Sequence, residues 1–413
     1  MNMLSRLADP VCWRQYYEYK HTSGRLFDWE DRELAEFIAG EKYLPVVEGI
    51  LREKPFPLPR RAEIGKLYSS KKRVVYTYPK GENYVLKLLT YLLIREYDHL
   101  FPPNLYSFRA GVQAKDAVEK LVRQPGIGQL YSYKVDIRNY FNSIPIAKLL
   151  PLLRQALPEE PELCRFLERI LTESRVRDGD RILEEEKGIM AGTPIAAFLA
   201  NLYLTRMDAW FQENGRLYAR YSDDIILFAS GPEELEADVA RIHDYLHQSG
   251  LTINPDKESR TLPGESWVFL GFAFRDGKID IAPASVDKLK GKMRRKTRAL
   301  ARWKDQQGKD GAYAARAFIK VFNRKLFETT AEHELTWARW YFPVITTPES
   351  LAVIDHYAQD CIRYLYTGRH TKAAYNCRYE DMKQLGYVSL VNRYYRGECV
   401  IETKDSENKK ENG

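Results

Sequence analysis

Apolar and polar positions recur with different periods along this chain. Over residues 1–60 the stretch DWEDRELAEFIAGEKYLPVVEGILREK sets apolar side chains at helical spacing, and the proline-rich PFPLPRR closes the segment. The period then changes. KKRVVYTYPK reads as a basic, β-branched and aromatic strand, ENYVLKLLTYLLIREYDHLF as a strongly apolar helix, and Val112 to about Val122 as an amphipathic helix followed by a turn at QPGIG. The middle third holds three strand candidates, QLYSYKVDI, RLYARYSDDIILFAS and SWVFLGFAF. Helices fall between them at TPIAAFLANLYLTRMDAWF and GPEELEADVARIHDYLHQSG, the latter stopped by Gly250. From about Ser285 to about Tyr366 the pattern is helical again, and the last dozen residues, ETKDSENKKENG, lack apolar anchors and predict a disordered tail. Strand and helix alternate without the repeat of a doubly wound parallel sheet, so an α+β layout is expected.

Charge changes this picture more than composition does. The 413 residues are 44% hydrophobic and 13% aromatic, enough for two or three domains or one multi-lobed enzyme. Net charge is only +7, yet Asp287 to Lys325 holds 14 Lys and Arg against 3 Asp, so the rest of the chain is slightly acidic. That concentration points to a polyanionic partner. Cys12, Cys164, Cys361, Cys377 and Cys399 form no CxxC pair and are odd in number, which fits neither a disulfide framework nor a zinc site and favours a reducing compartment. No signal-like or membrane-length apolar run is found, so a cytoplasmic protein with no membrane partner is expected.

The candidate chemistry lies in RYSDDIILF. Asp223 and Asp224 stand between apolar runs, where two neighbouring carboxylates repel and resist desolvation, so something positive must sit beside them. Asp136 ends the strand candidate upstream. If the strands are neighbours, three carboxylates converge as a hard oxygen site of the kind magnesium takes, completed by water and substrate phosphates. An Asp-Asp pair taken alone is more often a turn feature. His243 and His247, four apart on a helix, lack a third ligand and read as a surface pair.

With these residues in view the chain resembles the reverse transcriptases, the right-hand palm polymerases. YSDD and KVDIRNYFNSI look like motifs C and A, NLYSFRAGVQAKDAV the fingers motif, GIMAGTPIAAFLANLYL motif B, LTINPDKES motif D and FLGF the primer grip, in order from about Lys71 to Arg396. The resemblance implies a right-hand α+β fold: a helical extension over 1–60, fingers over 61–135, palm with an antiparallel sheet over 136–280, helical thumb over 281–345, a helical region over 346–400 and a tail over 401–413.

It also implies roles. Asp136, Asp223 and Asp224, with the Ile137 carbonyl, would hold two Mg2+ ions, for which Mn2+ can substitute, and Asp223 would be the more direct ligand of the pair. Lys257 corresponds to a lysine proposed to protonate the departing pyrophosphate, and an ordinary exposed loop lysine is the equal alternative. Arg109, Lys72 and Arg73 would hold the triphosphate, although a basic strand edge also keeps a sheet soluble. Phe141, five residues after Asp136, takes the place of an aromatic beneath the incoming sugar that leaves no room for a 2′-hydroxyl, where RNA-dependent RNA polymerases usually have a second Asp. That implies dNTPs as substrates. At motif B the common Pro-Gln-Gly is Met190-Ala191-Gly192, so only the Gly192 backbone role transfers.

KLKGKMRRKTRALARW falls where a thumb helix belongs. Lys288, Lys292, Arg295 and Lys296 would track the phosphates of an RNA–DNA hybrid, against the plainer reading of a solvated helix face. No VTG thumb signature, HNH nuclease or appended DNA-binding domain is found, and YEDMKQLGYVSLVNRYY is similar to a segment of defence-associated bacterial enzymes. The resemblance therefore implies synthesis of DNA on a noncoding RNA in antiphage defence, with homo-oligomerisation left open. The alternatives are a nucleotidyl transferase that is template-independent or makes another product, and a catalytically silent RNA-binding palm.

Overall fold

The computed structural model describes residues 2–22, 26–65, 72–329 and 336–402. They divide into two compact units between Pro263 and Gly264. The expected tail at 403–413 lies outside the described residues, and the strand read from Lys71 is described from Lys72.

The first unit opens with four helices, α1 (Met3–Arg6), α2 (Pro10–Thr22), α3 (Asp28–Ala39) and α4 (Leu44–Leu51). Their apolar spacing converges on Trp13, which is fully buried, stacks on Tyr43 with centroids 4.7 Å apart and donates its indole N–H to the Leu7 carbonyl at 2.8 Å. Next come β1 (Arg60–Gly65), β2 (Lys72–Thr77), α5 (Lys80–Glu96), α6 (Ala114–Val122), β3 (Tyr131–Asp136), α7 (Tyr140–Ser143), α8 (Ile146–Ala156) and α9 (Pro161–Thr172). The unit is completed by β4 (Arg175–Asp178), β5 (Arg181–Glu184), α10 (Ala196–Glu213), β6 (Leu217–Tyr221), β7 (Asp224–Ala229), α11 (Pro232–Gln248) and β8 (Ser259–Thr261).

Two four-stranded sheets result, ordered β2-β1-β4-β5 and β6-β7-β3-β8. In the second sheet all neighbours are antiparallel, and Val135, Ile225 and Leu227 enter the same core as α10, whose residues Phe198 to Leu204 are buried. The apolar runs of β3 and β7 made that sheet readable. Strands β1, β4, β5 and β8 were not, because they are short and mostly exposed. Charge ties the first sheet together: Arg61 on β1 reaches Glu63, Asp178 and Glu185 at 3.2, 3.6 and 3.3 Å.

The two sheets are joined through residues 188–192. Asn142 donates to the Val74 carbonyl at 3.1 Å and accepts from the Ala191 N–H at 2.8 Å, while Tyr76 N–H donates to the Ala191 carbonyl at 2.8 Å. This path passes so close to α7 that a Cβ on Gly188 would lie 2.5 Å from the Phe141 carbonyl oxygen.

In the second unit SWVFLGFAF is not one strand but two, β9 (Trp267–Phe269) and β10 (Phe272–Arg275), reversed at Leu270 and Gly271, which have φ of +50° and +88°. β11 (Lys278–Ile281) completes a three-stranded sheet. Helices α12 (Pro283–Gln306), α13 (Gly311–Leu326), α14 (Trp337–Tyr341), α15 (Glu349–Thr367), α16 (Tyr379–Gln384) and α17 (Leu390–Arg396) follow. The hairpin expected with the palm belongs to this unit: Ile279 and Thr346 exchange two hydrogen bonds of 2.8 Å. Buried Asp355 on α15 accepts from Tyr387 Oη, Ser389 Oγ and the N–H groups of Leu390 and Val391 at 2.7 to 3.1 Å, which pins the start of α17.

Gly188→Ala tests the junction between the sheets. Its φ of +53° and the backbone contact act together, so a loss of roughly 2 kcal/mol or more is expected in urea unfolding. Gly179→Ala, at φ +62° but in open space, loses only about 1 kcal/mol.

Candidate active site

Strand register brings the three acids together. Asp136, the last residue of β3, is the cross-strand partner of Asp224, the first residue of β7, and Tyr221 pairs with the same Asp224 across a two-residue turn made of Ser222 and Asp223. One ligand atom from each of Asp136, Asp223 and Asp224 lies within 4.8 Å of the others. Among the described residues this is the one cluster of metal-ligating side chains. All its donors are carboxylate oxygens, so the set fits a hard divalent cation.

The backbone is fastened on both sides. Ile137 N–H donates to the Asp223 carbonyl at 3.0 Å, Asn254 N–H to the Asp136 carbonyl at 2.8 Å and Arg138 N–H to the Thr252 carbonyl at 2.8 Å. A single 3-10 turn, Pro255–Lys257, then delivers Lys257, whose Nζ lies 2.5 Å from Asp136 Oδ2. Here is one positive neighbour the acids require. Burial alone would lower the Lys257 pKa, but its hydrogen bond to Asp136 and the surrounding carboxylates raise it overall. Burial, with repulsion from Asp136, raises Asp223. Burial also pushes Asp224 up to about 6, with repulsion from Asp223 and Asp136 and partial relief from Lys134 and Lys257.

A second positive group was missed in the sequence. Arg220 and Asp208 are both fully buried, paired at 2.8 Å (Nε to Oδ1) and 2.5 Å (Nη2 to Oδ2). Arg220 Nη1 also donates to the Ser222 carbonyl at 3.2 Å, and Tyr218 Oη donates to Asp208 Oδ1 at 2.8 Å. Ser222 has φ of +60°, a conformation that a non-glycine residue holds only where its surroundings impose it. The guanidinium thus clamps the turn that presents Asp223. The visible signal was a charge inside each of two apolar runs, Arg220 in LYARY and Asp208 in LTRMDAWF.

Asp136, Asp223 and Lys257 open onto a cleft of about 1390 Å³, lined also by Lys72, Arg73, Ile137 and Phe141 among others. Phe141 is set there by a one-turn helix begun at Asn139 (φ +49°), and it meets Phe108 edge to face at 6.1 Å. Lys72 also pairs with Glu63 at 3.0 Å.

Two expected substrate contacts are placed elsewhere. Arg109 makes a two-point pair with Asp98 at 2.9 and 2.7 Å and donates to the Pro102 and Leu105 carbonyls, so its guanidinium fastens the loop instead of lining the cleft. Gly192 lines a neighbouring groove, where its φ of +102° and the Tyr76 carbonyl, 3.0 Å from an added Cβ, exclude a side chain. His243 binds Tyr133 Oη at 2.7 Å and gathers no metal set.

In the second unit Lys288, Lys292, Arg295 and Lys296 all lie on α12. Lys325 on α13 stands close enough that burial first, then Lys292 and Lys288, lower its pKa. Such crowding of ammonium groups is relieved by a polyanion.

Residues 66–274 match the family described as reverse transcriptase (RNA-dependent DNA polymerase). No curated protein matches the chain in sequence. Among solved structures it is similar to an apo telomerase from Candida tropicalis lacking its C-terminal domain, at 11% identity and a TM-score of 0.45 over 54% of this chain and 55% of that one. It is also similar to a Candida albicans telomerase with a TWJ fragment of telomeric RNA, at 12% identity and 0.43 over 86% and 71%. A Candida tropicalis telomerase with such a fragment matches at 10% and 0.43 over 79% and 64%. The chain thus spans about half the length of the first of these.

Two predictions follow from the charges. Because the folded-state pKa of Asp224 lies above the ordinary one, the cation-free fold is favoured while Asp224 is protonated, and that contribution, up to about 3 kcal/mol, fades as pH rises through about 6. Adding Mn2+ should therefore raise the melting midpoint more at pH 7.5 than at pH 5. Asp224→Asn should raise the cation-free midpoint at pH 7.5 and weaken the Mn2+ response; a response equal at both pH values contradicts the assignment. Separately, Arg220→Met leaves Asp208 buried without its counter-ion and should cost about 3–5 kcal/mol in urea unfolding, most of it recovered in the double variant with Asp208→Leu.

Proposed function

The chain belongs to the reverse transcriptase (RNA-dependent DNA polymerase) family, and we propose that it copies an RNA template into DNA at the Asp136–Asp223–Asp224 cluster. The observation that carries this reading is the cluster of three carboxylates, two of which, Asp136 and Asp223, line a cleft that has Phe141 and a basic strand among its walls.

The three Asp side chains are suited to hold Mg2+, with the Ile137 carbonyl beside them. A pair of such ions, when bound, supplies the Lewis acidity that activates a 3′-hydroxyl and stabilises the leaving oxygen of pyrophosphate. Lys257 pairs with Asp136 in the meantime and carries a proton on Nζ that it can hand to pyrophosphate as it leaves. Lys72 and Arg73 offer cations to the triphosphate from β2, a service for which Arg109 is already committed elsewhere. Phe141 forms the floor beneath the sugar and excludes a 2′-hydroxyl, which selects dNTPs. The α12 lysines and arginines hold the backbone of the RNA–DNA hybrid without reading its sequence.

The same reading takes the template to be a noncoding RNA and the role to be antiphage defence in the cytoplasm. Its support is the departure from Pro-Gln-Gly at Met190-Ala191-Gly192 together with the stretch YEDMKQLGYVSLVNRYY, which forms α16 and α17 and is anchored on Asp355.

Primer extension on an RNA template tests the reading. With dNTPs and Mg2+ the chain should extend the primer, and the Asp223→Ala/Asp224→Ala variant should lose roughly a thousandfold or more of that rate while keeping its RNA affinity. Phe141→Ala should reduce the preference for dNTPs over NTPs by about tenfold or more. Equal use of NTPs by the unaltered chain, or incorporation without template, would overturn it.

A further inference from the structure

A second concavity in the first unit, a groove of about 960 Å³, lies between α2 and α5 and runs to Phe108 and Gly192. Among the described residues that line it there is no Asp or Glu, while Lys20, Lys87 and Arg95 all do. Its aromatic rings form a ladder. Tyr91 meets Tyr16 at 5.4 Å and Tyr19 at 5.2 Å between centroids, and the Arg95 guanidinium lies 3.7 Å from the Tyr91 ring and 4.5 Å from that of Tyr19. Lys20 Nζ stands 5.7 Å from both Tyr16 and Tyr19. Lys87 also lines the groove, with its Nζ 5.3 Å from the Tyr84 ring, and burial lowers its pKa against a smaller pull from Glu30.

Cations interleaved with ring faces suit a ligand that is anionic along its length and has a flat face at each repeat, which is single-stranded nucleic acid. Duplex would present its phosphates but hide its base faces. The groove is a neighbour of the catalytic cleft: Phe108, one of its walls, packs edge to face against Phe141 of the cleft. One wall, made by Tyr16, Tyr19 and Lys20, lies outside residues 66–274, the part that matches the polymerase family. We propose that the N-terminal helices build a binding groove for an unpaired strand on its way to the cleft, with phosphates at Lys20, Lys87 and Arg95 and bases stacked on Tyr19 and Phe108. The proposal rests on the polymerase reading for the strand's destination but not for its binding.

The test measures affinity by fluorescence anisotropy, using the full chain and labelled RNA–DNA hybrids that are blunt or carry a short or long unpaired 5′ RNA overhang. The overhang should tighten binding by about tenfold or more, and a DNA overhang should serve nearly as well, since the groove offers stacking and charge without base reading. Lys87→Glu, Arg95→Glu and Tyr19→Ala should each reduce that gain while leaving blunt-hybrid affinity within about twofold. The two charge reversals should also make the salt dependence of overhang binding shallower. Arg95 is exposed, so its variant is informative even if Lys87→Glu misfolds. A chain that gains nothing from an overhang, or variants that keep the whole gain, would overturn the proposal. Overhang-dependent binding without primer extension supports the groove and counts against the polymerase reading alone, because affinity is measured without catalysis.

Discussion

Three carboxylates gathered within 4.8 Å demand positive charge, and much of the first unit can be understood as the means of bringing them there and tolerating the result. Antiparallel pairing of β3 with β7 puts Asp136 opposite Asp224, and a two-residue turn adds Asp223. A slip of one residue would send these side chains to the other face of the sheet. The buried apolar side chains of β3 and β7 fix that register, so core packing and site geometry are the same constraint.

The positive charges are arranged at two depths. Lys257 reaches the acids from the solvent side, half exposed and bonded to Asp136. Arg220 lies behind the turn, fully buried and neutralised by Asp208, and acts on the backbone of Ser222 without touching the carboxylates. An ion pair so deep is seldom a large net source of stability, since desolvation offsets most of the attraction. Its value here is geometric: the fork of the guanidinium fixes a strained turn in one position. The Asn142 bridge does the corresponding work on the other flank, tying the strand that carries Lys72 and Arg73 to the segment at Gly188–Gly192.

Much of this was legible in the sequence, for identifiable reasons. Adjacent acids inside an apolar run violate the burial rule so plainly that they identify themselves, and the α+β layout follows from the mixture of periods. Strands β1 and β5 were not legible, because hardly a side chain in either enters the core. Arg109 looked available because a free arginine and one locked onto Asp98 read identically in one dimension. The break inside SWVFLGFAF turns on Leu270 and Gly271 adopting positive φ, which a run of apolar residues conceals. The aromatic ladder of Tyr16, Tyr19 and Tyr91 joins helices far apart in the chain, and only the fold shows that their rings share one groove with Arg95.

The most direct examination of the central claim is a crystal of the full chain soaked with Mn2+ and a dNTP, with data collected at the manganese absorption edge. Anomalous density bounded by the side chains of Asp136, Asp223 and Asp224, with Lys257 Nζ moved off Asp136, is the predicted result. Manganese bound only elsewhere, with the lysine still seated on Asp136, would contradict it.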